Sequence, residues 1–345
     1  MADITHGDIR QVKAAELGMR LDRWLKTHYP TLPHGLMQKL LRTGQIRVNG
    51  GRAKPDTRLG DGDEVKVRRL ADFDAQGAAG GERPSLQAPL GVSKADRNFI
   101  ESMILYEDDE VLVLNKPYGI AVQGGTKTTQ HIDRLLEGLG DGPETRPRLV
   151  HRLDRDTSGV LVLGKTPAAA AKLSGAFARR KAQKTYWALV VGNPHPTEGI
   201  IDVPLAKKGI NDREIVVPVD TKDPKGEPAE TEFVTISRAG PRVTWLALRP
   251  HTGRTHQLRA HMKAMGHPIL GDPKYGDEKS LALSAGLQLQ LHARRLVIPH
   301  PSAGMLAIEA PLSKEMKAGF ERFGFDEHEA DPEPFARKGG RSSRR

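Results

Sequence analysis

The segment Leu149-Val150-His151-Arg152-Leu153-Asp154-Arg155-Asp156-Thr157-Ser158-Gly159 concentrates charged and hydroxyl side chains directly ahead of the apolar run Val160-Leu161-Val162-Leu163. A polar loop feeding a buried strand is a common support for catalytic groups, because the strand holds the loop end rigid. An ionised aspartate there can act as a nucleophile or a base. By composition alone, however, Asp-Thr-Ser-Gly also makes an ordinary turn, so both readings stand at this point. Three nearby patterns imitate other chemistries. Gly159 to Thr166 fits the phosphate-cradling Gly-x-x-x-x-Gly-Lys-Thr pattern letter for letter, but its variable positions are the strand itself, so they cannot curl to aim amides at a nucleotide. Asp154, Asp156, Ser158 and Gly159 resemble the start of a calcium loop, yet its twelfth position would be Lys165 in place of a bidentate glutamate. His251, His256, His261 and His267 are five, five and six residues apart, which on a helix spreads them over different faces instead of assembling them as metal ligands. Neither a metal nor a cofactor is expected.

The elements that must position the polar loop fall into two groups. Between residues 17 and 70, Leu21, Trp24 and Leu25 and then Leu36, Leu40 and Leu41 recur at helical spacing. They precede the alternating run Gln45 to Val48, an Asn49-Gly50 turn and a return strand over Glu64 to Val67. Residues 71–97 are rich in Gly, Ala and Pro and read as a flexible linker, following a leader over 1–16. From residue 98 to 322 strand-like runs dominate, at Val111 to Leu114, Gly159 to Leu163, Tyr186 to Val191 and Val243 to Leu248, with fewer helical ones such as Ala168 to Arg179. This gives an α+β domain around one sheet. Residues 323–345, ending in Ala-Arg-Lys-Gly-Gly-Arg-Ser-Ser-Arg-Arg, read as a disordered tail with a basic end able to touch phosphate.

Charge narrows the partner. Fifty-three Lys and Arg against 43 Asp and Glu give +10 over 345 residues, and a polyanion is favoured over a small neutral substrate. Residues 19–70 alone hold twelve basic and five acidic residues. Arg20, Arg23, Lys39, Arg42, Arg47 and Arg52 punctuate the helices and hairpin of this small unit instead of forming a blocky tail, so they are expected to contact nucleic acid. With no cysteine there is no disulfide framework, thiolate nucleophile or cysteine-held cluster. No apolar run approaches a membrane span, and the N-terminus lacks a signal-peptide core. A cytoplasmic protein is expected.

The strings RLDRWLKTHYP and LMQKLLRTGQIRVNGGRAKPDTRLGDGDEV resemble the S4 RNA-binding domain. HRLDRDTSG resembles the HRLDxxTSG signature of the RluA-type pseudouridine synthases. ILYEDDEVLVLNKPYGIAVQGG, KTYWALVVG, PHTGRTHQLRAHMKAMGHPILGDPKYG and LQLHARRLVIPHP extend that resemblance over about residues 17 to 320, most closely to the RluC-type branch that modifies 23S ribosomal RNA of the large subunit. One departure is Gly226-Glu227-Pro228-Ala229, whose second position is commonly Lys in relatives.

The resemblance implies a mixed, mainly antiparallel catalytic sheet beside a small S4-like domain. It also implies cofactor-free isomerisation of uridine in ribosomal RNA. It assigns the essential carboxylate to Asp154, its basic partner to Arg254, and a tyrosine stacking on the target base to Tyr186. Leu291 is expected to wall the pocket. Arg152 and Arg155 are expected to contact RNA, and Arg152 to fill the gap left by the flipped base, since guanidinium stacks on bases and pairs with phosphate. Two other readings compete: a non-catalytic S4-type RNA-binding or ribosome-assembly factor, and a nucleotidase that would depend on Lys165.

Overall fold

The computed structural model describes residues 8–29, 32, 34–67, 92–124, 130–140, 145–210 and 213–336. The chain divides into two compact units, within residues 1–88 and 89–345.

In the first unit the strands are β1 (Asp8–Gln11), β2 (Ile46–Val48), β3 (Gly51–Arg52) and β4 (Glu64–Val67), with helices α1 (Leu21–His28) and α2 (His34–Arg42). The sheet runs β1-β4-β2-β3, antiparallel throughout. Leu21, Trp24 and Leu25 bury one side of α1 against Leu40 and Leu41 of α2 and Val65 and Val67 of β4. Asn49 and Gly50 both adopt positive φ, as a two-residue turn between right-twisted strands requires. That turn leads into β3, while β4 pairs with the opposite edge of β2, so the return strand is not the turn's immediate partner.

The leader expected over 1–16 is corrected from Asp8 onward. Strand β1 pairs with β4 from Asp8 opposite Val67 to Gln11 opposite Glu64. Glu16 accepts from the Trp24 indole N–H at 2.8 Å and from His28 Nε2 at 2.6 Å, and these bonds hold its carboxyl down to about 2. The tie is made by side chains distant in sequence, which periodicity does not register.

The second unit contains α3 (Lys94–Glu101), β5 (Ile104–Glu107), β6 (Val111–Lys116), α4 (Ile132–Leu135), β7 (Arg148–Leu149), β8 (Ser158–Gly164), α5 (Pro167–Ala178), β9 (Gln183–Val191), β10 (Glu198–Asp202), β11 (Leu205–Ile210), β12 (Arg213–Pro218), β13 (Glu230–Ala239), β14 (Val243–Pro250), α6 (Gln257–Ala264), α7 (Glu278–Ser284), β15 (Leu291–Pro299), β16 (Met305–Glu309) and α8 (Lys314–Phe323). A ten-stranded sheet runs β10-β13-β14-β9-β15-β8-β6-β5, with β16 on β15 and β7 on β8. The β8/β15 pair is parallel and the other pairings of this sheet are antiparallel. All seven residues of β8 are buried, as expected of a central strand covered on both faces. Helix α5 starts at Thr166, whose hydroxyl accepts from Ala169 N–H, with Pro167 in the first turn. The strand and cap together account for the residues that imitate a nucleotide loop.

Two further boundaries are corrected. Residues 71–91 of the expected linker lie outside the described residues, but Ser93 caps α3 through a reciprocal bond with Asp96, so folded chain begins inside the 71–97 span. The expected tail is packed as far as Phe335. Phe323, Phe325 and Phe335 join a core containing Trp187, Trp245 and Phe320, and the Arg249 guanidinium lies 4.1 Å from the Phe335 ring centroid. Isolated aromatics in a polar segment show no period, although each finds a docking place. The basic end, 337–345, lies outside the described residues.

Candidate active site

The parallel β8/β15 pair builds the site. Ser158 lies opposite His292 and Gly159 opposite Ala293, while Ala293 also faces Tyr186 across the antiparallel β15/β9 pair. Tyr186 in turn faces Leu248 of β14. The loop before β8, the middle of β9 and the start of β15 therefore meet at one place. There Asp154, Tyr186 and Leu291 line a cleft of about 810 Å³. Gly159 permits this approach: it has φ +110°, and a Cβ on it would fall 2.2 Å from the Ala293 carbonyl oxygen.

Four side chains fix the loop that presents Asp154. His151 Nε2 accepts the Val162 N–H at 2.9 Å and its ring stacks on Phe177 at 4.4 Å; burial pushes its pKa down to about 3. Ser158 donates its hydroxyl to His292 Nδ1 at 2.8 Å, leaving Nε2 to donate to the Ala310 carbonyl at 3.3 Å. His292 is fully buried, and burial pushes its pKa down to about 4. Thr157 is buried, with its N–H closing the turn onto the Asp154 carbonyl at 3.1 Å. Lys116, at the end of β6 and fully buried, donates from Nζ to the carbonyls of Pro117 (2.9 Å), Ile120 (2.9 Å) and Arg155 (3.0 Å). It thereby pins the residue after Asp154 to the Asn115-Lys116-Pro117 turn. Burial drives its pKa down to about 7, against the pull of Asp156 and Asp154.

The charge arrangement at Asp154 corrects one expectation. Arg254 does not pair with it. Its Nη1 meets Glu227 at 2.6 Å and its Nε donates to the Pro228 carbonyl at 3.1 Å, so on the cleft lining its guanidinium is engaged at the departure noted at Glu227. The reason is local. Arg254 precedes His256, a non-glycine residue in the left-handed region at φ 52°, and this reversal changes the direction of the chain before α6 begins. The basic groups that face Asp154, a histidine and an arginine, come from later in the same motif. His256 Nε2 lies 3.9 Å from Asp154 Oδ2. Arg259, 3% exposed, is held by Asp272 through two bonds of 2.7 Å, and its charge is coupled to Asp154. No local pattern separated Arg259 from Arg254, since both stand in the polar string Gly253-Arg254-Thr255-His256-Gln257-Leu258-Arg259. Tyr186 is a phenol here, since burial, with the Asp154 charge, raises its pKa.

Arg152 is exposed on the cleft wall, and Arg155 is exposed and pairs with Asp156 at 3.0 Å. In the first unit Arg20, Arg23, Lys39, Arg42, Arg47 and Arg52 are all exposed. Arg20 pairs with Asp22 at 2.7 Å, and Arg47 donates to the carbonyls of Gly44 (3.0 Å) and Gly50 (3.1 Å), bracing the hairpin turn. Of the four histidines considered as ligands, His261 bonds Thr231 and the Val203 carbonyl, and His267 bonds the Val191 carbonyl. These two have structural partners.

A carboxylate on a rigid loop, a partly buried phenol across the sheet and an embedded arginine line one cleft, and the chain belongs to the RNA pseudouridylate synthase family. The family's model matches residues 110–264, and residues 19–65 match the S4 domain. The chain is 38% identical over 315 residues to ribosomal large subunit pseudouridine synthase C of Salmonella typhi, covering 89% of this chain and 93% of that protein. The protein of the same name from Escherichia coli (strain K12) matches with the same identity and coverage. Among solved structures, human RNA pseudouridylate synthase domain containing 4 aligns with a TM-score of 0.56 and 26% identity, over 67% of this chain and 97% of that one. Human RNA pseudouridylate synthase domain containing 1 aligns with a TM-score of 0.52 and 28% identity, over 61% and 82%.

Proposed function

We propose that this protein isomerises specific uridines to pseudouridine in the 23S ribosomal RNA of the large subunit, working in the cytoplasm. The observation that carries the reading is the likeness to ribosomal large subunit pseudouridine synthase C over 89% of the chain, in a protein whose Asp154 and Tyr186 share one cleft. No described helix is long and apolar enough to cross a membrane.

The reaction breaks the N1–C1′ bond and forms C5–C1′; C5 loses a proton and N1 gains one. Atoms and electrons balance within the substrate and solvent protons, so the chemistry calls for no redox partner. Asp154 acts as the carboxylate at the ribose and base, and Tyr186 provides a ring face for the uracil. Leu291 walls the pocket. The target uridine must leave its stack, at a cost of a few kcal/mol, and Arg152 contacts the RNA it leaves. The exposed arginines and Lys39 of the first unit hold the surrounding RNA by its phosphates.

The test is a deletion strain complemented with wild-type or Asp154→Asn protein, with pseudouridines in 23S rRNA mapped by carbodiimide-dependent reverse-transcription stops. Wild type restores stops that the deletion lacks, whereas Asp154→Asn restores none yet binds the RNA as wild type does. Full product from Asp154→Asn would refute the role of the carboxylate. An unchanged stop pattern in the deletion strain would refute the reaction on 23S rRNA and favour an RNA-binding factor without activity.

A further inference from the structure

We propose that Tyr275 and His256 form a hydrogen-bonded arm that positions Asp154, holding its Oδ2 so that Oδ1 is left to the reacting atoms. The inference rests on the function proposed above and adds two positioning residues to it.

The arm begins at a backbone donor whose direction is fixed. Val216 N–H in β12 donates to Tyr275 Oη at 3.1 Å, and Tyr275 Oη lies 3.0 Å from His256 Nδ1. An amide can only donate, so the phenol oxygen accepts from Val216, and its own hydrogen has no other acceptor among the described residues than His256 Nδ1. Nδ1 is then the unprotonated nitrogen of a neutral imidazole. The ring hydrogen is placed on Nε2, the atom 3.9 Å from Asp154 Oδ2. The logic is that by which a buried group selects a histidine tautomer and aims its other nitrogen.

The arm is stiff. Tyr275 is 4% exposed. Its ring meets the His256 ring edge-on at 5.6 Å, and the Arg259 guanidinium lies over it at 5.1 Å. His256 occupies the left-handed region at φ 52°, which a non-glycine residue adopts at a cost. Such a conformation persists where surrounding contacts impose it. The charges around the imidazole are those of Asp154, Arg259, Lys274 and Asp272; burial, helped by the two cations, lowers its pKa, and burial raises that of Tyr275 to about 12. Both groups therefore keep the protonation that the chain requires at neutral pH. The 3.9 Å gap exceeds a hydrogen bond by about 1 Å, a distance that catalytic contacts commonly close when substrate fills the cleft.

The experiment reads tautomer and rate in the full-length protein. Two-bond 15N–1H correlation of the imidazoles, with His256 assigned by its loss in His256→Asn, gives an Nε2–H tautomer in wild type and a shifted tautomer balance in Tyr275→Phe. Single-turnover isomerisation at saturating 23S rRNA fragment falls roughly a hundredfold in Tyr275→Phe, the cost of misplacing a reacting group by about 1 Å, with RNA affinity within twofold of wild type. His256→Asn, which tolerates the left-handed backbone, shows the same loss. An Nδ1–H tautomer in wild type overturns the proposal. So does a folded Tyr275→Phe or His256→Asn protein with a rate within twofold of wild type. Should Tyr275→Phe not fold, the wild-type tautomer and the His256→Asn rate decide. Asp154→Asn runs alongside: an inactive Asp154→Asn with fully active arm variants sinks the arm alone, whereas an active Asp154→Asn sinks the underlying function.

Discussion

Replacing Lys116 by Met separates two roles that this side chain performs at once. Its ammonium is fully buried and donates to three carbonyls, including that of Arg155 beside Asp154. Burial lowers its pKa from 10.5 to about 7. Between those values the unfolded chain carries a proton that the folded protein has shed, so unfolding takes up a proton and stability rises with pH. The slope is about 1.4 kcal/mol per pH unit, and the total across the window is on the order of 5 kcal/mol. Below pH 7 both states are protonated and this slope vanishes.

In Lys116→Met the buried charge is gone, and with it the pH slope. Three carbonyls lose their donor, at roughly 1–3 kcal/mol each, which is comparable to the desolvation cost recovered. The two changes therefore largely offset each other near neutrality, leaving stability there within about 4 kcal/mol of wild type. Isomerisation behaves differently. The anchor one residue from Asp154 is lost, and a displacement of about 1 Å costs roughly a hundredfold. Urea unfolding of both proteins at about pH 6.5, 8 and 9.5 measures the slope, and single-turnover rates measure the anchor. Parallel stability curves would refute the reasoning about the buried charge, and an undiminished rate would refute the reasoning about the loop.

Two further outcomes follow from the same geometry. Gly159→Ala places a methyl group 2.2 Å from the Ala293 carbonyl at φ +110°. A loss of roughly 2–5 kcal/mol in urea unfolding is expected, and a loss below about 0.5 kcal/mol would show that β8 and β15 need no such approach. Arg23→Gln combined with Arg42→Gln removes two exposed cations from the first unit. If both meet phosphate, the log-log salt slope of rRNA binding falls by about 2, while an unchanged slope would remove these residues from the interface.

The sequence by itself determined whatever depends on neighbours along the chain. The spacing of Leu21, Trp24 and Leu25 marked a helix with one buried side, Asn49-Gly50 marked a tight turn, and Val160 to Leu163 marked a buried strand behind the polar loop. The motif around Asp154 and the likeness at Tyr186 named the two residues that the sheet then brought into one cleft. Tertiary structure decided the rest. The string Gly-Arg-Thr-His-Gln-Leu-Arg offers two arginines. Arg259 is buried against Asp272 while Arg254 stays exposed beside Glu227, on either side of the left-handed backbone at His256, whose imidazole lies between Tyr275 and Asp154. The leader and tail were likewise claimed by partners remote in sequence: β4 pairs with Asp8–Gln11, and Trp245 and Phe320 share a core with Phe323, Phe325 and Phe335. Local pattern encodes propensity and burial; the choice of partner for a charge or a lone aromatic is made by residues that approach only after the sheet has formed.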